Sequence, residues 1–170
     1  MLRKFLDGLY LCSGIMSAAF LALICISILT QVVARLLGLT TDTTEISGFF
    51  MAASTFLGLA YTFRHGAHIR VGLLVVRFKG VRRKAFELWC CGFGTLLIGY
   101  LAWQATLFTM QSWEFDDISP GIMAIPFWIP QSGMSLGLVI LTIALVDAFL
   151  CIANDKVAGY EVNDDTALSE

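Results

Sequence analysis

An aspartate inside an apolar run is the first residue whose chemistry asks for an explanation. Asp147 stands alone in the otherwise uncharged stretch Ile129–Ile152, and a carboxylate in a membrane segment is costly enough to mark a functional position by default. It sits five residues from the end of that stretch. Two readings stay open: a carboxylate paired with a base such as Arg64 or solvated at the interface, or a proton or ion relay. Arg35 and Glu45 flank a short loop and suit a pair with each other or with a neighbouring protein. Glu114, Asp116 and Asp117, beside Trp113, form an acidic cluster, and its plain reading is a solvated loop.

Other chemistries lack their residues. His65 and His68 lie three apart in one segment, whereas haem ligation in a membrane needs histidines facing each other from different spans. The five cysteines, Cys12, Cys25, Cys90, Cys91 and Cys151, lie in or beside apolar runs without zinc or redox spacing, which reads as packing with no disulfide. There is no phosphate-binding glycine loop, no HExxH, and no serine or cysteine nucleophile with a base nearby. Nothing points to nucleic acid or to a cofactor. Nor do two broken helices meet at mid-membrane, as a secondary transporter's own substrate site requires.

The elements that position these residues are set by hydropathy. Hydrophobic residues make up 58% of the 170-residue chain and charged residues only 14%, against about 25% charged in a soluble domain. Four runs are long and apolar enough to cross a bilayer: Leu9–Ala34, Ile46–Phe63, Leu88–Met110 and Ile129–Ile152. They read as helices, because only a helix pairs its backbone groups within one segment in lipid. Barrel strands would alternate, and these runs do not. The first run follows Arg3 and Lys4 but, counted from Gly8, is far longer than the roughly 7–15 residues of a signal peptide's apolar region. It reads as an uncleaved span, and residues 1–170 as a single all-α membrane domain.

The loops predict the orientation. Arg3 and Lys4 precede the first span, and Arg64, Arg70, Arg77, Lys79, Arg82, Arg83 and Lys84 lie between the second and third with no acid among them. With Lys156 after the fourth, ten cations stand on one side against Arg35 on the other. That bias places both termini and the central basic segment in the cytoplasm and the acidic loop outside. Of the tryptophans, Trp89, Trp113 and Trp128 suit headgroup anchoring, and Trp103, which lies deeper, suits packing.

Between the second and third spans, His68–Lys79 mixes Ile69, Leu73, Val76 and Phe78 with Arg70 and Arg77. It is too short to span and too apolar for a free loop. An interfacial helix is expected there, its cations at anionic headgroups. Pro120-Gly121 predicts a turn, and Ile122–Trp128 a shallow hairpin arm on the outer surface. Pro130 suits the first turn of the fourth helix. Small residues four apart, at Ser13/Ser17, Ser54/Gly58 and Gly133/Gly137, predict close helix approach without naming the partner.

The stretch Glu45-Ile-Ser-Gly-Phe-Phe-Met-Ala-Ala-Ser-Thr-Phe-Leu-Gly-Leu-Ala-Tyr-Thr-Phe-Arg64-His-Gly-Ala-His68-Ile-Arg70-Val-Gly-Leu-Leu resembles the small membrane subunit of tripartite ATP-independent periplasmic (TRAP) transporters. The run Ile125-Pro126-Phe127-Trp128-Ile129-Pro130 resembles the family's segment before the fourth span. One departure is Gly72, where the family commonly carries Asp, which removes that acid and any pairing it would make.

The resemblance implies a scaffold in the bacterial inner membrane, bound to a large membrane subunit that moves a small organic acid inward, driven by a sodium gradient. Sodium coupling would belong to that large subunit, and a periplasmic binding protein would deliver the substrate. Arg64, His68, Arg70, Arg77 and Lys79 would meet lipid headgroups or the large subunit, and Trp113, Glu114, Asp116 and Asp117 would help dock the binding protein. Two rivals from other classes are the membrane anchor of a quinone-linked redox enzyme and a small homodimeric four-helix exporter. The first predicts haem or quinone in the purified protein; the second needs a carboxylate deep in an early span, and neither of the first two has one.

Overall fold

Apolar runs of this length leave the backbone no partner but itself, and helix is what forms. The computed structural model describes residues 2–39, 43–64, 81–121 and 124–153 and holds four long helices there: α1 (Leu2–Leu36), α2 (Thr44–Arg64), α3 (Val81–Glu114) and α4 (Trp128–Ala153). All four are long and apolar enough to cross a membrane. The expected interfacial helix, His68–Lys79, lies outside the described residues.

Two helices outrun their apolar cores. At 1.5 Å per residue, the 35 residues of α1 reach about 52 Å, against a hydrocarbon thickness of about 30 Å. Helical hydrogen bonding continues past the lipid into residues too polar to be counted as span. α3 starts seven residues before Leu88 and takes Arg82, Arg83 and Lys84 into its first turns. α1 ends on Gly38, whose φ of 76° reverses the chain. The Leu39 N–H donates to the Ala34 carbonyl at 2.9 Å and the Gly38 N–H to that of Arg35 at 3.1 Å, which pairs the last carbonyls of the helix.

The order across the molecule is α1–α2–α4–α3. Among the described residues α3 packs on α4 alone, and α1 packs on α2 while meeting α4 only marginally. The result is an open row, with α2 and α4 inside it and α1 and α3 at its edges. The core is accordingly narrow: Tyr10, Leu57, Ala60, Ile140, Leu141, Ala144 and Leu145.

Small residues set the approach of these helices. Ser13 and Ser17 of α1 face Ser54 and Gly58 of α2. The Ser13 hydroxyl donates to the Leu57 carbonyl, Ser17 Oγ to the Ser54 carbonyl at 2.7 Å, and Ser54 Oγ back to the Ser17 carbonyl at 3.1 Å. Interhelical bonds of this kind contribute about 0.6 kcal/mol each in a membrane. On the other side of α2, Gly137 lies so close that a Cβ there would stand 2.5 Å from the Phe56 carbonyl carbon, and one on Gly133 would stand 3.2 Å from Ala53 Cβ. The two pairs α1 and α2 contribute are therefore each other's partners, and the α4 pair seats α2.

The loop from α3 to α4 is a short antiparallel turn. Ser119 N–H donates to the Ile125 carbonyl and Phe127 N–H to that of Asp117, both at 2.9 Å, around a bridge between Ile118 and Pro126. Pro130 falls in the first turn of α4. One expectation fails: Trp103 is 66% exposed on the outer side of α3, because an edge helix with a single neighbour has most of its circumference free. The cysteines are all free, and Cys12, Cys25 and Cys90 are exposed rather than packed.

Candidate functional site: an ion-pair cluster and the α3–α4 loop

Each of α1, α2 and α4 carries one charged residue where its apolar run nears the end of the row that holds the chain's N-terminus. Arg64 is the last residue of α2, where a cation complements the helix dipole. Its Nη2 lies 2.9 Å from Asp7 Oδ1 of α1, and its Nη1 3.7 Å from Asp147 Oδ2 of α4. The planar guanidinium presents several donors in a fixed fork, so one arginine can serve two carboxylates. The shorter contact is the wetter one, since the Asp7 side chain is 53% exposed and that of Asp147 only 23%.

Below Asp7, one turn further along α1, Tyr10 is 1% exposed and its hydroxyl has no hydrogen-bond partner among the described residues. Asp7, Arg64 and Asp147 all act on it electrostatically. An arginine keeps its proton throughout the physiological range and cannot pass one on. The cluster is built as a tie among three helices. Asp7 and Tyr10 escaped the sequence reading. The available signal was that Asp7 closes the first apolar run as Arg64 closes the second.

At the opposite end, Glu45 occupies the first turn of α2, where an acid suits the dipole. Its carboxylate packs on Gly121 of the α3–α4 loop, so closely that a Cβ there would stand 2.0 Å from Oε2. Only glycine fits. Arg35 is exposed at the end of α1 and makes no ion pair among the described residues. Trp113 and Trp128 meet edge to face at 4.6 Å across the mouth of the loop. Glu114, Asp116 and Asp117 are exposed, and Asp116 adopts a φ of 50°, which a short polar side chain tolerates. His68, Arg70, Arg77 and Lys79 lie outside the described residues.

Among the described residues, no group of histidines, cysteines and acids is arranged to hold a metal ion. What the fold defines is a multi-pass membrane protein in which hydroxyls of α1 and α2 and the Asp7, Arg64 and Asp147 charges link neighbouring helices. Residues 24–154 match the family described as tripartite ATP-independent periplasmic transporters, DctQ component. The chain belongs to this family: it is the small membrane component of a TRAP transporter and not an enzyme. Comparisons with curated proteins and with solved structures return no significant match.

Proposed function

We propose that the chain is the scaffold subunit of a sodium-gradient-driven, binding-protein-dependent importer of a small organic acid. It works in the bacterial inner membrane beside a large membrane subunit, which holds the sodium and substrate sites, and it carries no cofactor of its own. The family match over residues 24–154 carries this reading. The geometry supports it: Arg64 is engaged with both Asp7 and Asp147, which suits an architectural role for these charges. An open row of four helices also offers long free flanks on which a larger neighbour can rest.

In this reading both termini and the basic segment 64–84 are cytoplasmic, as ten of eleven cations on one side favour. His68–Lys79 lies as a helix at the inner surface and fixes the depth of the scaffold, with Arg64, His68, Arg70, Arg77 and Lys79 toward headgroups or the large subunit. The test is reconstitution. Liposomes holding the large subunit with this chain should take up substrate when given loaded binding protein and a sodium gradient, and liposomes with the large subunit alone should not. Full uptake without this chain would overturn the scaffold role.

The exposed acids at the outer loop are the docking surface for the binding protein in the same scheme. Replacing Glu114, Asp116 and Asp117 by their amides should raise the concentration of binding protein needed for half-maximal uptake several-fold at low salt, with the difference fading near physiological ionic strength. Unchanged kinetics at low salt would remove the acids from docking.

A further inference from the structure

Most polar side chains on the free flanks of the row satisfy themselves. Thr30 on α1 donates to the Ile26 carbonyl, and on α3 Thr95, Thr106 and Thr109 donate to the carbonyls of Cys91, Ala102 and Ala105. A hydroxyl turned back onto its own helix costs little in lipid. Gln104 of α3 is different: it is exposed, and its Nε2 donates to the exposed Tyr100 hydroxyl at 2.9 Å, one turn away. An amide has two N–H donors and an acceptor oxygen, so this single bond leaves a donor and the oxygen over, together with the Tyr100 O–H.

The depth of this pair follows from helix contacts. A Cβ on Gly92 would meet the Phe149 ring, and one on Gly99 would meet Thr142 Cγ2 at 3.6 Å. α3 therefore runs antiparallel to α4 with Gln104 level with Gly137. In α4, Gln131 lies near the outer end and Asp147 near the inner. At 1.5 Å per residue, Gly137 is about 3 Å from their midpoint. Counted along α3, Gln104 is about 7 Å from the middle of Leu88–Met110, so it offers unused hydrogen-bonding groups within the hydrocarbon of the bilayer, where acyl chains have none to return. The flank of α1 differs. Its shallow groove along Ile26, Leu29, Val33 and Leu37 is apolar and suits lipid chains.

We propose that the face of α3 bearing Leu97, Tyr100 and Gln104 is the surface on which this chain meets the large membrane subunit, and that the Gln104 amide hydrogen-bonds to a polar group on one of that subunit's helices. This rests on the scaffold reading and adds to it a location. The chemistry asks for a protein partner with a polar group at the same depth within the hydrocarbon, and membership of a multi-component transporter supplies a partner.

The test places a photoreactive benzoylphenylalanine at position 100, at position 104 or at Leu23 on the flank of α1, in the full chain co-expressed with the large subunit. Adducts to the large subunit from 100 and 104, at several times the yield from Leu23, are expected. Gln104→Leu makes α3 more apolar and so does not hinder insertion. It should reduce the large subunit retained with the tagged chain in detergent about three- to tenfold, the loss expected of one interhelical hydrogen bond. Adducts at 104 confined to lipid or to a second copy of this chain would overturn the proposal, as would retention unaffected by Gln104→Leu or large-subunit adducts from Leu23 alone. If the unaltered chain fails to retain the large subunit at all, the scaffold reading itself falls.

Discussion

Arg64 is the residue on which two carboxylates from neighbouring helices, Asp7 and Asp147, converge. Removing it leaves the mostly covered Asp147 without its counter-ion, while Asp7 stays half in water. Arg64→Ala should therefore destabilise the chain by about 1–3 kcal/mol, between the values for exposed and buried pairs. Asp7→Asn should cost less than about 1 kcal/mol, because its carboxylate is half in water. Asp147→Asn still leaves Arg64 its shorter contact. The double variant Asp7→Asn with Asp147→Asn should cost more than the sum of the two, since only then is Arg64 left unpaired. Unfolding of the four variants in mixed micelles measures this; additive losses would show that the three residues do not act as one cluster.

Helix contacts are decided by volumes that a list of apolar residues does not reveal. Gly137→Ala drives a methyl group into the backbone of α2 at Phe56, and backbone cannot turn aside. A loss of about 1–3 kcal/mol is expected from such overpacking. Gly94→Ala on α3 meets nothing within 4 Å and should gain up to about 1 kcal/mol through helix propensity. Comparing the two by thermal unfolding in detergent separates contact from propensity; equal effects would mean that α2 and α4 do not pack as described. The extents of the helices carry a second lesson. α3 opens on Arg82, Arg83 and Lys84 and closes on Glu114, the reverse of what its dipole favours. Dipole terms of about 0.3–1 kcal/mol each yield to the distribution of charge that membrane insertion imposes.

Over the described residues the four helices form a row and not a closed bundle, and the expected orientation rests on loops rather than on helices. A phosphatase or fluorescent-protein reporter fused after Lys79 should report cytoplasm, and one fused after Asp117 should report periplasm. The opposite result would invert the assignment of both termini and of the basic segment. An open row also explains why so much apolar surface remains on α1 and α3, including Trp103. In the membrane, lipid and a partner subunit complete what a soluble protein would have to bury.

Four apolar runs, interrupted by charge only at Asp147 and each near the length of a bilayer crossing, were enough to specify four helices, since lipid leaves the backbone no other way to pair. The stretch from Glu45 to Leu74 was enough to suggest the family, because its residues repeat a pattern and not merely a composition. Spacing alone also singled out Ser13, Ser17, Ser54, Gly58, Gly133 and Gly137 as contact residues. Which of them meet which, that Arg64 holds Asp7 as well as Asp147, that Glu45 turns to Gly121 and not to Arg35, and that α3 stands at an edge were settled only by the tertiary structure. The periodicity of a helix fixes what one face carries. The neighbour it meets depends on how four cylinders share a plane, and helices with apolar residues on every side leave that choice to a few small and charged side chains.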